Sequence, residues 1–121
     1  CVVTPHKKEY QSVSEGMDIE NVSSLLNAVI LLKGKEDIIA DAIHKRIHKS
    51  GTAAMTGAGT GDVLSGAVAG LLSKGMNAFD SACLGAYICG KAGEKAFESK
   101  SYGLIATDVI DCIPTILRSF V

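Results

Sequence analysis

The apolar positions of this chain change period several times, and each change predicts an element. Cys1-Val2-Val3 is a short apolar run that stops at Thr4-Pro5-His6, which reads as a strand entering a turn. Apolar residues spaced along Ile19–Leu26 predict a short helix. Residues 28–32 are apolar without interruption and end at Lys33-Gly34, the pattern of a strand buried on both faces of a parallel sheet. Residues 37–40 and 42–48 are short and divided by Asp41, which predicts a hairpin-like pair near the sheet edge. Helical spacing then takes over at about residues 62–73, stopped by Lys74-Gly75, at about 78–98, and at about 107–120. The last of these starts with a good cap at Thr107-Asp108 and contains Pro114, which removes an amide and predicts a kink or a new first turn.

This alternation of strands and helices predicts an α/β fold. No repeat, low-complexity tract or linker divides the chain, so it reads as one unit. With no initiator Met and a strand at its very start, it is expected to be the C-terminal portion of a longer protein. Gly66, Ala67, Ala69 and Gly70 leave little bulk on the first of the three later helices, and Gly85, Ala86, Gly90, Ala92 and Gly93 repeat this on the next. Two such faces are expected to fit against each other, with nucleotide contact as the alternative. Tyr87 and Tyr102 read as amphipathic fillers.

Composition narrows the function. The chain is 47% apolar and 21% charged with a formal net charge of −1, which argues against a nucleic-acid groove with its concentrated basic face. Lys7-Lys8, His44-Lys45-Arg46 and His48-Lys49 are short, separated clusters that read as solvated surface. There is no apolar run long enough to span a membrane and no secretory leader, so the expected setting is cytoplasmic. Cys1, Cys83, Cys89 and Cys112 contain no CxxC pair and are expected to be buried free thiols. His6, His44 and His48 lack the spacings of a structural zinc centre, so no metal ligands are assigned.

The chemistry concentrates at Thr56-Gly57-Ala58-Gly59-Thr60-Gly61-Asp62, just where a helix is due to begin. Glycines let the main chain approach an anion, and first-turn amides together with the helix dipole favour negative charge. A carboxylate there repels phosphate, so Asp62 is a candidate to accept a proton from a hydroxyl or to hold a cation; the plain alternative is a helix cap. Two further patches, residues 4–9 (TPHKKE) and 31–37 (LLKGKED), also lie just after a strand or before a helix, where open α/β sheets place ligands.

Taken together, TPHxxE, LLKGxxD, TGxGTGDVLSGxxAGLLxxG, AYxxGKAGE and GLxATDVIDxIP resemble the C-terminal half of the NAD(P)H-hydrate dehydratase family, across nearly the whole chain. GTGD is shared with several ribokinase-like kinases; TPHxxE and ATDVIDxIP narrow the resemblance to this family. It implies a ribokinase-like, three-layer α/β/α fold with a mostly parallel sheet, of which this chain supplies the C-terminal part. It implies ADP- or ATP-dependent dehydration of hydrated NADH or NADPH, with magnesium: the nucleotide phosphorylates the ring hydroxyl, and loss of phosphate restores the cofactor. By this resemblance Asp62 is the base and also meets the substrate. Gly57, Gly59, Thr60 and Gly61 cradle the transferred group and the nucleotide. Lys33, Gly34, Lys35, Glu36 and Asp37 lie along the adenosine or phosphate side, and His6 meets the hydrated dinucleotide. Family members tend to form homo-oligomers. The chain departs from the family's Thr-Gly-Asn-Pro/Ala-Gly-Met run with Ser50-Gly51-Thr52-Ala53-Ala54-Met55. Two alternatives are a ribokinase-like kinase of a small alcohol or vitamin precursor, and a non-catalytic nucleotide-binding fragment.

Overall fold

The first strand, β1 (Val2–Val3), pairs in parallel with β2 (Val29–Leu32), and between them in sequence lie α1 (Lys7–Ser14) and α2 (Ile19–Leu26). The structure, a computed structural model, describes residues 1–52, 55 and 59–120. β3 (Asp37–Ala40) and β4 (Lys45–His48) complete a four-stranded sheet in the order β1-β2-β3-β4. Ile30 lies opposite Ala40, Leu31 opposite Ile39, and Asp37 opposite His48. Then follow α3 (Thr60–Ser73), α4 (Ala78–Lys100), a 3₁₀ turn at Ser101–Gly103, and α5 (Ala106–Arg118).

The sheet is mixed. The expectation of mostly parallel pairing holds here for β1 and β2 alone, because β2, β3 and β4 are joined antiparallel. The reason is connection length. A parallel return needs a crossover of a dozen or more residues, which α1 and α2 supply, whereas the links from β2 to β3 and from β3 to β4 have room only for turns.

Strand alternation builds the layers. Val29 and Leu31 on β2, with Ile39 on β3, face Val63, Leu64 and Val68 of α3 and the alanines of α4. Ile30 and Ala40 face the other way, onto Ile19 and Val22 of α2. Burying one such aliphatic side chain stabilises by about 1.5–3 kcal/mol, so β2, with three consecutive buried residues, anchors both helical layers. The three-layer α/β/α expectation is met.

Helix α1 was not foreseen. Its sequence, KKEYQSVS, buries only Ser14, so it shows little apolar period. What fixes it is its start: His6 Nδ1 accepts a hydrogen bond from Glu9 N–H at 3.3 Å, and Glu9 Oε1 accepts one from His6 N–H at 2.9 Å. This is the reciprocal arrangement of a capping box, with histidine in the role that serine or threonine usually fills. The cap expected for α5 also shifts. Ile105 precedes the first turn, and Asp108 reaches back to accept from Ile105 N–H at 2.9 Å. α5 continues through Pro114 as one helix.

The small residues of α4 serve close packing, as expected, but their partners differ from those foreseen. A Cβ on Gly85 would lie 2.6 Å from Val68 Cγ2 of α3, one on Gly90 would overlap Ser50, and one on Gly93 would overlap Met55. Gly66 and Gly70 of α3, by contrast, have nothing within 4 Å of a built Cβ, and Ala69 is exposed. Of the small residues on α3, Ala67 alone packs toward the core that holds Ala82, Ala86 and Ala92 of α4. Val68, a larger side chain, fills the notch above Gly85.

The four thiols are free, but only Cys89 is buried; Cys83 and Cys112 are half-buried and Cys1 is exposed. No helix among the described residues is long and apolar enough to cross a membrane.

Candidate active site at the start of helix α3

Parallel pairing brings the carboxyl ends of β1 and β2 to the same edge of the sheet, and the pairing continues past the strands: Lys33 N–H donates to Pro5 O at 3.0 Å, and His6 bridges Lys33. The amino end of α3 lies over this edge. Thr4 Oγ1 and Ser65 Oγ are 3.3 Å apart, tying the end of β1 to the second turn of α3. A Cβ on Gly61 would stand 3.0 Å from Lys33 Nζ. The patches around residues 4–9, 31–37 and 59–62 thus converge on one place.

Gly59 is the residue that lets α3 start there. Its φ of 91° is in the left-handed region, and a Cβ on it would press within 3.1 Å of Ala106 Cβ on α5. Both facts favour glycine. The first intrahelical bond runs from Val63 N–H to Gly59 O, so the amides of the preceding first turn lie ahead of the ladder and face the sheet edge with the positive end of the dipole. Thr60 uses its hydroxyl to brace the approach, donating to Met55 O at 2.5 Å.

Asp62 is the third residue of α3 and exposed; its carboxylate makes no hydrogen bond or ion pair with a described residue. The capping position belongs to Gly59. Of the two readings open at the sequence level, the geometry therefore favours a carboxylate available to another molecule.

Lys33 supplies the second positive group. It forms no salt bridge with a described residue, and its charge instead acts through space on Glu9 and Asp37. Glu9 is held below the usual carboxylate range first by the His6 N–H bond, with smaller help from the charges of His6 and Lys33. An ammonium and a helix start, with a carboxylate one residue along, can hold a phosphoryl group while a proton leaves its acceptor.

The remaining candidates divide. Gly34 N–H is held by Asp37 Oδ1 at 3.2 Å, Lys35 is exposed, and Glu36 lies 3.8 Å from Lys49. Asp37 turns inward, where burial raises its carboxyl, opposed in part by Gly34 N–H, His48 and Lys33. Gly57 lies outside the described residues. His6 is beside Lys33 but tied to Glu9, with its Nε2 3.2 Å from Glu9 Oε1. Among the described residues no three His, Cys, Asp or Glu side chains converge on one point, so these residues do not form a metal site by themselves.

Sequence reading placed Thr4 in a candidate patch without giving it a role, and missed Ser65 and Glu94. Glu94 Oε1 on α4 accepts from Gly51 N–H at 3.0 Å, which ties Gly51 to α4. The signal for Thr4 was its place between a strand and Pro5. For Glu94, 43 residues distant in sequence from its partner, no local pattern exists.

The chain is similar to known proteins both in sequence and in fold. A family model described as NAD(P)H-hydrate dehydratase matches residues 1–115. The chain is 43% identical to the bifunctional NAD(P)H-hydrate repair enzyme Nnr of Archaeoglobus fulgidus over 98% of its own length, which is 25% of that protein. In three dimensions it is similar to the ADP/ATP-dependent NAD(P)H-hydrate dehydratase of Bacillus subtilis co-crystallised with ATP/Mg²⁺ (TM-score 0.87, 24% identity, 99% of this chain and 48% of that one). A ribokinase-like superfamily protein of Enterococcus faecalis matches at TM-score 0.84 and 26% identity, over 98% of this chain and 44% of that one. The fold is thus ribokinase-like, and the chain spans about a quarter of the archaeal relative and under half of each solved chain.

Proposed function

The chain belongs to the NAD(P)H-hydrate dehydratase family, and from that premise we propose that it forms the C-terminal part of an enzyme that uses ADP or ATP to return hydrated NADH and NADPH to the intact cofactors. The observation that carries the proposal is that Lys33 Nζ reaches Gly61 in the first turn of α3, one residue before Asp62.

In this reading the terminal phosphoryl group of the nucleotide lies against Gly59, Thr60 and Gly61, with Gly57 alongside. Lys33 balances its charge, and Gly34, Lys35 and Glu36 border the nucleotide. Asp37 acts from behind, through Gly34. Asp62 takes the proton of the ring hydroxyl as its oxygen bonds to phosphorus and the bond to the nucleotide breaks. Phosphate leaves far more readily than hydroxide, so the ring nitrogen's lone pair can then expel it, and loss of a ring proton restores the dihydronicotinamide. His6 borders the dinucleotide. Magnesium, when present, would come with the nucleotide and offset the charge of its phosphates, as hard divalent ions commonly do. Cytoplasmic action and self-association belong to the same proposal, the latter supported by exposed Ile110, Leu117 and Phe120 toward the end of the chain.

The test is spectroscopic. The intact protein is mixed with hydrated NADH, Mg²⁺ and ADP or ATP, and dihydronicotinamide absorbance is followed. Recovery that depends on nucleotide supports the proposal. No recovery with either nucleotide rejects it, and a phosphorylated small alcohol without recovery would assign a conventional kinase instead.

A further inference from the structure

A second string of polar side chains lies behind the anion site, and of its members the chemistry above uses only Asp37, through Gly34. Asp37 Oδ1 accepts from Gly34 N–H at 3.2 Å, and Oδ2 faces His48 Nδ1 at 3.7 Å. His48 Nε2 lies 2.7 Å from Ser50 Oγ. The His48 and Asp37 side chains are 13% and 21% exposed, and His48 Nδ1 is buried with no hydrogen-bond partner among the described residues. Lys33 on the β2 side acts on Asp37 through space, Asp37 in turn acts on the Cys89 thiol of α4, and the ring of Tyr87 meets His48 edge-on at 6.1 Å.

Serine, histidine and aspartate in that order suggest a hydrolytic triad, but packing rules this out. Ser50 Oγ is pressed onto the bare face of Gly90, where even a methyl group would overlap it, so α4 occupies the side of that oxygen from which a carbonyl carbon would need to approach.

The string instead joins two segments of the site. One end holds Gly34, next to Lys33. The other holds Ser50, whose neighbour Gly51 is fixed to α4 through Glu94 at 3.0 Å, while Lys49 and Glu36 add a surface contact at 3.8 Å between the same two segments. We propose that Asp37 and His48 are positioning residues that hold the Lys33-Gly34 turn at a set distance from the Ser50-Gly51 segment, so that the Lys33 ammonium stays above Gly61 for the nucleotide phosphate. This rests on the reading that phosphate binds at α3. It requires one tautomer of His48: Nδ1–H directed to Asp37, with Nε2 accepting from the Ser50 hydroxyl. The His48 to Asp37 distance is within one small shift of a hydrogen bond, which would satisfy the buried nitrogen.

The test uses the intact protein with Asp37→Ala, His48→Ala and Asp37→Asn, each checked for fold by circular dichroism. Steady-state kinetics separate nucleotide KM from kcat, calorimetry gives ADP affinity, and ¹⁵N NMR of the imidazole gives the His48 tautomer. The alanine variants are expected to raise nucleotide KM about tenfold, the scale of one hydrogen bond to a charged group, with kcat changed less than about threefold on the same scale. Asp37→Asn keeps an acceptor for Gly34, so it should restore most of the affinity while switching His48 to the Nε2–H form. If an alanine variant fails to fold, Ser50→Ala, which removes the partner of His48 Nε2, carries the affinity readout and Asp37→Asn carries the tautomer readout. Unchanged affinity in the alanine variants, or an Nε2–H tautomer in the unaltered protein, overturns the proposal. Failure of the dehydratase reading looks different: the unaltered protein binds ADP but restores no cofactor, and the relay is then still judged by affinity and tautomer. Absence of ADP binding overturns both.

Discussion

Lys33 Nζ stands 3.0 Å from the place a Gly61 side chain would occupy, so a residue leaving β2 and one in the first turn of α3 share a single small space. That closeness sets the reach of the lysine and explains why a glycine suits the second position of the helix. Gly61→Ala should fold, because the atom it meets is the far end of a flexible side chain. It should weaken ADP binding about tenfold or more by pushing the ammonium aside, the scale of losing one charge-assisted contact. Calorimetric titration checks this; an unchanged Kd would remove Lys33 from the nucleotide site.

Asp62→Asn keeps the size of the side chain and removes its basicity. Nucleotide affinity should persist while turnover falls by about 10²–10⁴-fold, the usual share of general base catalysis. Full turnover in this variant would leave the carboxylate with only a helix-start role.

Two glycine substitutions should act in opposite directions. A methyl at Gly90 would overlap the Ser50 hydroxyl and come within 3.0 Å of its backbone carbonyl carbon, so Gly90→Ala is expected to cost about 1–3 kcal/mol by overpacking. A methyl at Gly66 meets nothing within 4 Å, so Gly66→Ala should gain about 0.4–1 kcal/mol from helix preference and a less flexible unfolded chain. Urea unfolding of both variants gives the comparison, and equal signs would contradict the packing described for α4.

Burial, with a smaller contribution from the charge of Asp37, pushes the Cys89 thiol up to about 11. The folded value is raised above the unfolded one, so the contribution to stability is complete below the ordinary thiol value of 9.0 and is lost as pH rises from there toward 11. Unfolding midpoints should therefore fall more steeply above pH 9 in the unaltered protein than in Cys89→Ala. In the folded protein this thiol should also resist alkylation until urea exposes it.

The sequence itself determined where most elements lie, because helix and strand periods are local properties: β2, the hairpin of β3 and β4, α2 and the three later helices all follow from spacing within a few residues. It also placed the glycines and Asp62 at a helix start, since that chemistry sits within one short run. α1 escaped because its start rests on an unusual histidine cap instead of an apolar stripe. Only the tertiary structure decided that Asp37 turns inward to Gly34 and His48, that Ser50 rests on Gly90, that Val68 rather than Gly66 meets α4, and that Lys33 reaches Gly61. Each of these depends on which residues meet across the sheet and between layers. A periodic pattern shows which face of an element is buried, but the partner on that face is selected by the fit of whole elements, and that choice leaves no local trace.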